Sequence, residues 1–307
     1  MMTQKKNHSF STWITLLLAL FAGFVFTSPT SAQVRPLYGP GFNATNSGVL
    51  PAPGFTYMNY FDYYSFDKLK GPQGGRVNDD LDAGIFIDIN VFMYVTKYKI
   101  LGGNLALVAG LPFANSSISL ADQPVVGLAG FSESFYQPFL LGWHKERFDL
   151  NTGYAFFANT GKSGAGYWGN ALTFGDTFYL TKNKAISFSS YQLLEFHTEN
   201  KDTGITPGTA FNLDYSLMMF LPLQKEEKAL MQVGLVGYDQ WQVSDDGGSR
   251  PRPVLSNVHY KDHAIGFAVN FLLPPKGVSV GMKYFKEYGA EATVEGQNIQ
   301  ISAAVTF

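Results

Sequence analysis

The chain is 307 residues long, with 16% aromatic residues, only 15% charged residues, no cysteine and a formal net charge of −2. Soluble domains usually carry about 25% charge, so this balance, with 32 glycines, suits a fold that shows one face to lipid. The lack of cysteine excludes disulfide frameworks and thiolate metal sites, and the lack of a basic stripe excludes a nucleic-acid footprint.

In chain order, the first segment reads as a signal peptide over residues 1–32. Lys5 and Lys6 supply the positive start, Trp13 to Phe26 the apolar core, and Thr30-Ser31-Ala32 a small-residue cleavage site. The apolar core is about 14 residues, short of the roughly 20 that a membrane-spanning helix needs. Residues 33–53 follow as an N-terminal extension, periplasmic or lumenal. Pro36, Gly39, Pro40 and Gly41 make it unlike a strand, and the expectation is a disordered tail rather than a plug.

From residue 54 to residue 307 the pattern changes to period-two alternation. Ile85, Ile87, Ile89, Val91, Met93 and Val95 share one face of their segment, with Asp88 and Asn90 on the other. Phe211, Leu213, Tyr215, Leu217, Met219 and Leu221 oppose Asn212, Asp214 and Ser216, and Ile265, Phe267, Val269 and Phe271 oppose Asn270. Runs of this kind, about ten residues long, match tilted membrane strands. Candidate strands fall at 55–66, 84–96, 104–116, 132–145, 148–159, 168–181, 184–197, 208–222, 229–243, 263–273, 277–288 and 297–307. That makes twelve strands, an even number, as closed bacterial barrels have. The faces of 168–181 and 184–197 cannot be assigned, because alternation there is poor.

Connection lengths take turns. Short turns at Lys97–Gly103, Lys145–Arg147, Thr181–Lys184, Leu223–Lys228 and Leu273–Gly277 alternate with longer polar segments. The long ones are Asp67–Leu81, Ser117–Phe131, Asn159–Tyr167, Thr198–Pro207, Ser244–Asp262 and Gly289–Gly296. Short periplasmic turns and long extracellular loops give that rhythm, and a soluble sandwich has no reason to obey it. The fold class read here is therefore all-β: a closed antiparallel transmembrane β-barrel. Closure also removes the sheet edges that would otherwise aggregate or sit unpaired in lipid. Trp143 near a periplasmic end, and Trp168 and Trp241 near extracellular ends, are expected in the interfacial girdles. The last strand ends the chain at Phe307, with Ile299, Ile301, Ala303 and Val305 on the same face. It resembles the closing strand of outer-membrane barrels, whose terminal aromatic the barrel assembly machinery reads.

Further motifs run through most of the sequence. They are Leu50-Pro-Ala-Pro-Gly-Phe-Thr-Tyr-Met-Asn-Tyr60, Pro138 with Gly142-Trp143, Gly234 to Gly248, Lys283-Tyr284 and Glu287-Tyr288. On these the chain resembles the phenol meta-degradation family of outer-membrane β-barrel channels. The resemblance implies a barrel and transport of small, aromatic molecules. Ser132-Glu133-Ser134 stands where the family pattern has an acidic residue before the Pro138 strand.

Twelve strands about 4.8 Å apart and tilted about 40° give a backbone radius of roughly 12 Å and a bore at most of order 5 Å in radius. Such a bore suits passive diffusion of a small organic solute. The pore-lining candidates are Asp88, Asn90, Asn212, Asp214, Gln232, Asn270, Lys283 and Gln300, with Phe86, Phe92, Phe220 and Phe285 as aromatic lining. A channel reading puts Asp88, Asp214 and Lys283 at a constriction; the plainer reading makes them a structural network. Lipid-modifying catalysis needs a nucleophile beside a histidine near the lipid-facing rim, and His144 and His197 lack such a serine. The expectation is a protein that is not an enzyme and has no catalytic residue. A structural or adhesive barrel without transport is the other alternative. Asp245-Asp246-Gly247 lacks the full EF-hand spacing, and the His259/His263 pair reads as loop histidines. No cofactor or metal is expected. The expected partners are outer-membrane lipid, the assembly machinery and a small organic solute, while the sequence does not fix how many barrels associate.

Overall fold

Alternating side chains need a sheet with one face toward lipid and one toward an interior, and this sheet closes on itself. The computed structural model describes residues 35–78, 81–120, 123–161, 165–224, 228–250 and 257–307. The expected signal peptide and residues 33–34 lie outside these. The strands are β1 (Gly54–Lys70), β2 (Arg76–Asn78), β3 (Leu81–Ile100), β4 (Gly103–Leu120), β5 (Gln123–Phe131), β6 (Ser134–His144) and β7 (Phe148–Ala158). They continue as β8 (Gly169–Tyr179), β9 (Ile186–His197), β10 (Ala210–Pro222), β11 (Leu230–Gln242), β12 (Lys261–Leu273), β13 (Val278–Glu291) and β14 (Val294–Thr306).

Twelve of these strands make the wall. Leaving aside β2 and β5, each pairs antiparallel with the next, and β14 returns to β1 from Thr56↔Thr306 up to Leu69↔Val294. Every wall strand therefore has two partners, and none leaves an open edge. The turns at one end are short. Between β3 and β4, Leu101 (φ 50°) and Gly102 (φ 80°) occupy the left-handed region that a two-residue hairpin demands.

The two extra strands belong to the long-loop end. β2 pairs with the top of β1. β5 pairs with the upper part of β4, from Phe113↔Phe131 to Leu120↔Gln123. The segment Ser117–Phe131, expected as a loop, is thus largely a raised hairpin. Its polar serines suit a strand outside the lipid band as well as they suit a loop. In β6 the register slips by one residue at Pro138 against both neighbours, with Pro138 and Phe139 facing Leu107 of β4 and Gln137 and Pro138 facing Ala155 of β7, a bulge that fits a proline without an N–H for the ladder.

The outer face carries an apolar band, including Phe61, Phe113, Leu172, Phe174, Leu235, Phe267 and Ile301, all exposed. Trp168 stacks on Phe156 and Trp241 on Phe211 at the long-loop end. At the short-turn end, Trp143 donates its ring N–H to the Leu101 carbonyl at 3.0 Å. Phe307 stacks on Phe55, 6.1 Å between ring centres, and its N–H donates to the Phe55 carbonyl. The interior is the reverse of a soluble core: Asp62, Glu195, Asn212, Asp214, Gln232, Asp262, Lys283, Glu287 and Gln300 are all buried.

Two expectations about faces change. Phe86, Asp88, Asn90 and Phe92 lie on the outer face of β3 and do not line the lumen. Asp62 and Tyr60 of β1 point inward, the latter edge-on to Phe42, and they pair with Ile87 and Ile89. Strand period two then sends Asp88 and Asn90 outward. The inner face of β3 is instead its apolar row. The second change fills a gap. In β8, Thr173, Gly175 and Thr177 face inward with Leu172, Phe174 and Phe178 outside; in β9, Ser187, Ser189, Tyr191, Leu193 and Glu195 face inward. Alternation was hidden there because Asp176, Ser190 and Gln192 form a polar cluster on the outer side.

Candidate functional site

Residues 35–53 fill much of the lumen, and the reading of this segment as a tail is overturned. It rises from the short-turn end, where it joins β1, to the long-loop end. Leu50 packs with Val95, Ala106, Val108 and Leu140, close over Gly142. A Cβ on Gly142 would lie 2.3 Å from the Leu50 side chain. Gly48 runs against the wall, its N–H donating to Thr177 Oγ1 at 3.0 Å, and a Cβ there would meet the Asp149 carbonyl at 2.2 Å. Only glycine lets the backbone come that near.

Higher up, polar side chains of the wall satisfy the backbone of the plug. Asn46 and Gln232 exchange amide hydrogen bonds of 3.1 and 2.8 Å. Lys283 Nζ donates to the carbonyls of Gly41 (2.5 Å) and Phe42 (2.8 Å), and Gln300 to that of Pro40 (2.9 Å). Asp214 accepts from Tyr38 Oη (2.6 Å), Gly41 N (2.9 Å) and Asn43 N (3.1 Å). Glu195 accepts from the N–H groups of Leu37 (2.7 Å) and Tyr38 (3.1 Å). At the top, Arg35 pairs with Asp262 at 2.8 Å and Glu287 at 3.2 Å, and donates to Thr293 Oγ1 and the Val294 carbonyl. Tyr64 and Tyr238 donate their hydroxyls to the same Glu287. A plug without regular structure carries bare N–H and C=O groups, so a lumen wall rich in carboxylates and amides is what makes its burial tolerable.

These contacts hold the plug to β7–β14 and leave a cavity of about 500 Å³ toward β1, β3, β4 and β6. Its wall is apolar: Met58, Ile87, Ile89, Val91, Met93, Val108 and Leu140. Its opposite edge is polar: Asn43, Asn46, Gln232, Asn270, Lys283 and Ser302. The lysine is spoken for by two plug carbonyls, with Asp214 and Asp62 near enough to attract it. Asn270 donates to Gln232 at 2.9 Å. What remains on offer to a solute is an apolar surface with amide and hydroxyl groups along one side and the Glu133 carboxylate at its margin.

The residues singled out from sequence divide as follows. Asn212, Asp214, Gln232, Asn270, Lys283 and Gln300 point inward, as do Phe220 and Phe285. Asn212 is tied to Gln240, and Phe285 packs on Tyr238 above Gly41. Asp88, Asn90, Phe86 and Phe92 are outside. The face pattern missed Arg35, Tyr38, Glu195, Asp262 and Glu287, although continuing the alternation from Asn270 to Asp262 and from Lys283 to Glu287 would have reached the last two. Each histidine among the described residues bonds a carboxylate, and none bonds a hydroxyl: His144–Asp149, His197–Glu195, His259–Asp245 and His263–Asp239. The described residues hold no cluster suited to a metal ion, and no helix long and apolar enough to cross a membrane. In the loop after β11, Asp246 accepts from Gly208 N and Gln242 Nε2, so that acidic turn fastens two loops together.

The barrel is similar to the COG4313 outer membrane channel from Pseudomonas putida F1, with a TM-score of 0.71 at 12% identity, covering 90% of this chain and 100% of that one. The β domain of the Bordetella autotransporter BrkA is more distant, with a TM-score of 0.50 at 10% identity over 83% of this chain and 100% of that one. At such identities the likeness is one of fold, that of an outer-membrane β-barrel. No curated protein matches the sequence. Residues 66–303 match one family throughout, so the chain belongs to the family described as "Putative MetA-pathway of phenol degradation".

Proposed function

We propose that this protein is an outer-membrane channel through which small neutral organic molecules with an aromatic or apolar body diffuse passively. The observation that carries the reading is the two-sided cavity beside the plug. Ile87, Ile89, Val91 and Met93 offer apolar contact, while Asn270 and Ser302 offer hydrogen bonds to one polar group. With Lys283 held by the plug and two carboxylates nearby, the site holds no spare positive charge to draw an anion. A neutral phenol fits this chemistry better than a carboxylate or a sugar, whose many hydroxyls would face the apolar wall unpaired.

Hydrolysis of lipid is the weaker reading, because none of the described histidines bonds a hydroxyl nucleophile. The test is single-channel recording of the refolded barrel in planar bilayers with phenol, benzoate and a sugar added in turn. Phenol should shorten or block the openings at concentrations where the sugar has no effect, with benzoate weaker than phenol. Equal block by the sugar, or no openings at all, would remove the reading.

A further inference from the structure

One stretch of the wall at β1 and β3 is inside out. Its lumen side is apolar, with Met58, Ile87, Ile89 and Val91, while its outer side carries Tyr57, Asn59, Asp88 and Asn90. Asn59 stands directly opposite Asn90, and Asp88 opposite Phe61. The group lies within the band of outward-facing apolar and aromatic residues. Tyr63 and Phe86 lie on its long-loop side and Phe55 and Phe92 on its short-turn side, with Ile301 and Phe113 to left and right. Lipid offers such groups no hydrogen-bond partner, and an ionisable residue at this depth calls for one.

Inside the group two bonds are made and three atoms are left over. Asn59 Nδ2 donates to Asp88 Oδ1 at 2.6 Å, and the Tyr57 hydroxyl donates to Asn90 Oδ1 at 2.6 Å. Among the described residues nothing bonds the Asn90 amide nitrogen, the Asn59 carbonyl oxygen or the second Asp88 oxygen. One is a donor and two are acceptors, all within one small patch. That set is complementary to itself when turned through 180°, as a two-fold interface requires. A second outward polar cluster differs: Asp176 is 5% exposed beneath its neighbours and already accepts from Ser190 and Gln192.

We propose that a second copy of this chain covers the outer face of β1 and β3, the two related by a two-fold axis parallel to the membrane normal. In a shared membrane orientation only the axis parallel to the normal is permitted, so the two barrels stand side by side. The Asn90 amide of one protomer then donates to Asp88 and Asn59 of its partner, and the rings of Phe61, Phe92 and Phe113 pack around the contact.

The chain has no cysteine, which makes single-cysteine cross-linking clean. Lys99→Cys places a thiol in water at the short turn below this face, and Lys182→Cys places one in the turn between β8 and β9, across the barrel. Both variants are refolded into lipid vesicles at high lipid excess and treated with a short bismaleimide. Lys99→Cys should give a covalent dimer and Lys182→Cys should give none. Adding Asn59→Leu, Asp88→Leu and Asn90→Leu to Lys99→Cys should abolish the dimer in a barrel that still shows heat-modifiable migration. No dimer from Lys99→Cys, equal yields from both cysteines, or a yield unchanged by the three leucines would each overturn the proposal. Should the leucine variant not fold, the two cysteines alone decide between the outcomes.

Discussion

Lys283 shows how one inward side chain couples the plug to the charge of the lumen. It donates to two plug carbonyls and lies near two carboxylates, so removing it frees the plug backbone and uncovers negative charge together. Lys283→Ala should shift the reversal potential in a salt gradient toward cations. It should also lower stability toward urea by about 1–3 kcal/mol, the usual cost of leaving buried polar groups unpaired. Asp88→Ala should leave the reversal potential where it is, because Asp88 lies on the other side of the wall. Gly48 supplies a purely steric counterpart. A side chain there has no room against the Asp149 carbonyl, so Gly48→Val should push the plug off the wall and raise single-channel conductance severalfold. Gly75→Val, where a Cβ meets nothing within 4 Å, should not change it.

The plug is the element that decides whether this barrel conducts. Apolar anchors hold it at Leu50, Ala44 and Tyr38, and between them its hold is polar, spread over Glu195, Asp214, Gln232, Lys283, Asp262 and Glu287, contacts that exchange for water more readily than an apolar core does. A segment held in this way can be tied down by a covalent bond. Asn46 and Gln232 meet tip to tip through two hydrogen bonds, a span longer than a disulfide but within reach of a short bis-methanethiosulfonate linker joining Asn46→Cys to Gln232→Cys. Linked channels should then show fewer and smaller openings than the same channels after reduction cleaves the linker. Identical traces in both states would mean that the plug stays in place during conduction and that solutes pass beside it.

For the whole molecule, closure sets the scale. Twelve tilted strands enclose roughly a 12 Å backbone radius, between a barrel filled by its own side chains and a general diffusion pore. Part of that space goes to the plug, and the remainder is the apolar-walled cavity. The seam that closes the ring runs between the first and last strands, and Phe307 lies at its foot against Phe55. Its side chain is 77% exposed, so its removal takes little packing from the folded barrel. Phe307→Ala should therefore lower the yield of barrel inserted in the outer membrane of cells while leaving the urea midpoint of purified, refolded barrel nearly unchanged. A large fall in the midpoint would make the residue a structural clasp instead.

Strand number and the alternation of short and long connections were legible in the sequence, because each depends on local chemistry. A period of two, a turn that needs Leu101 and Gly102 in the left-handed region, and a tryptophan near a strand end can be read within a dozen residues. Only the tertiary structure decided which face of β3 looks inward. That choice rests on its register with β1, where Asp62 pairs with Ile87, and a shift of one residue would reverse it. The plug was hidden for a similar reason. Arg35 finds Glu287 and Asp262, and Tyr38 finds Asp214, across separations of 173 to 260 residues for most of the contacts that hold residues 35–43, and no local pattern records such partners.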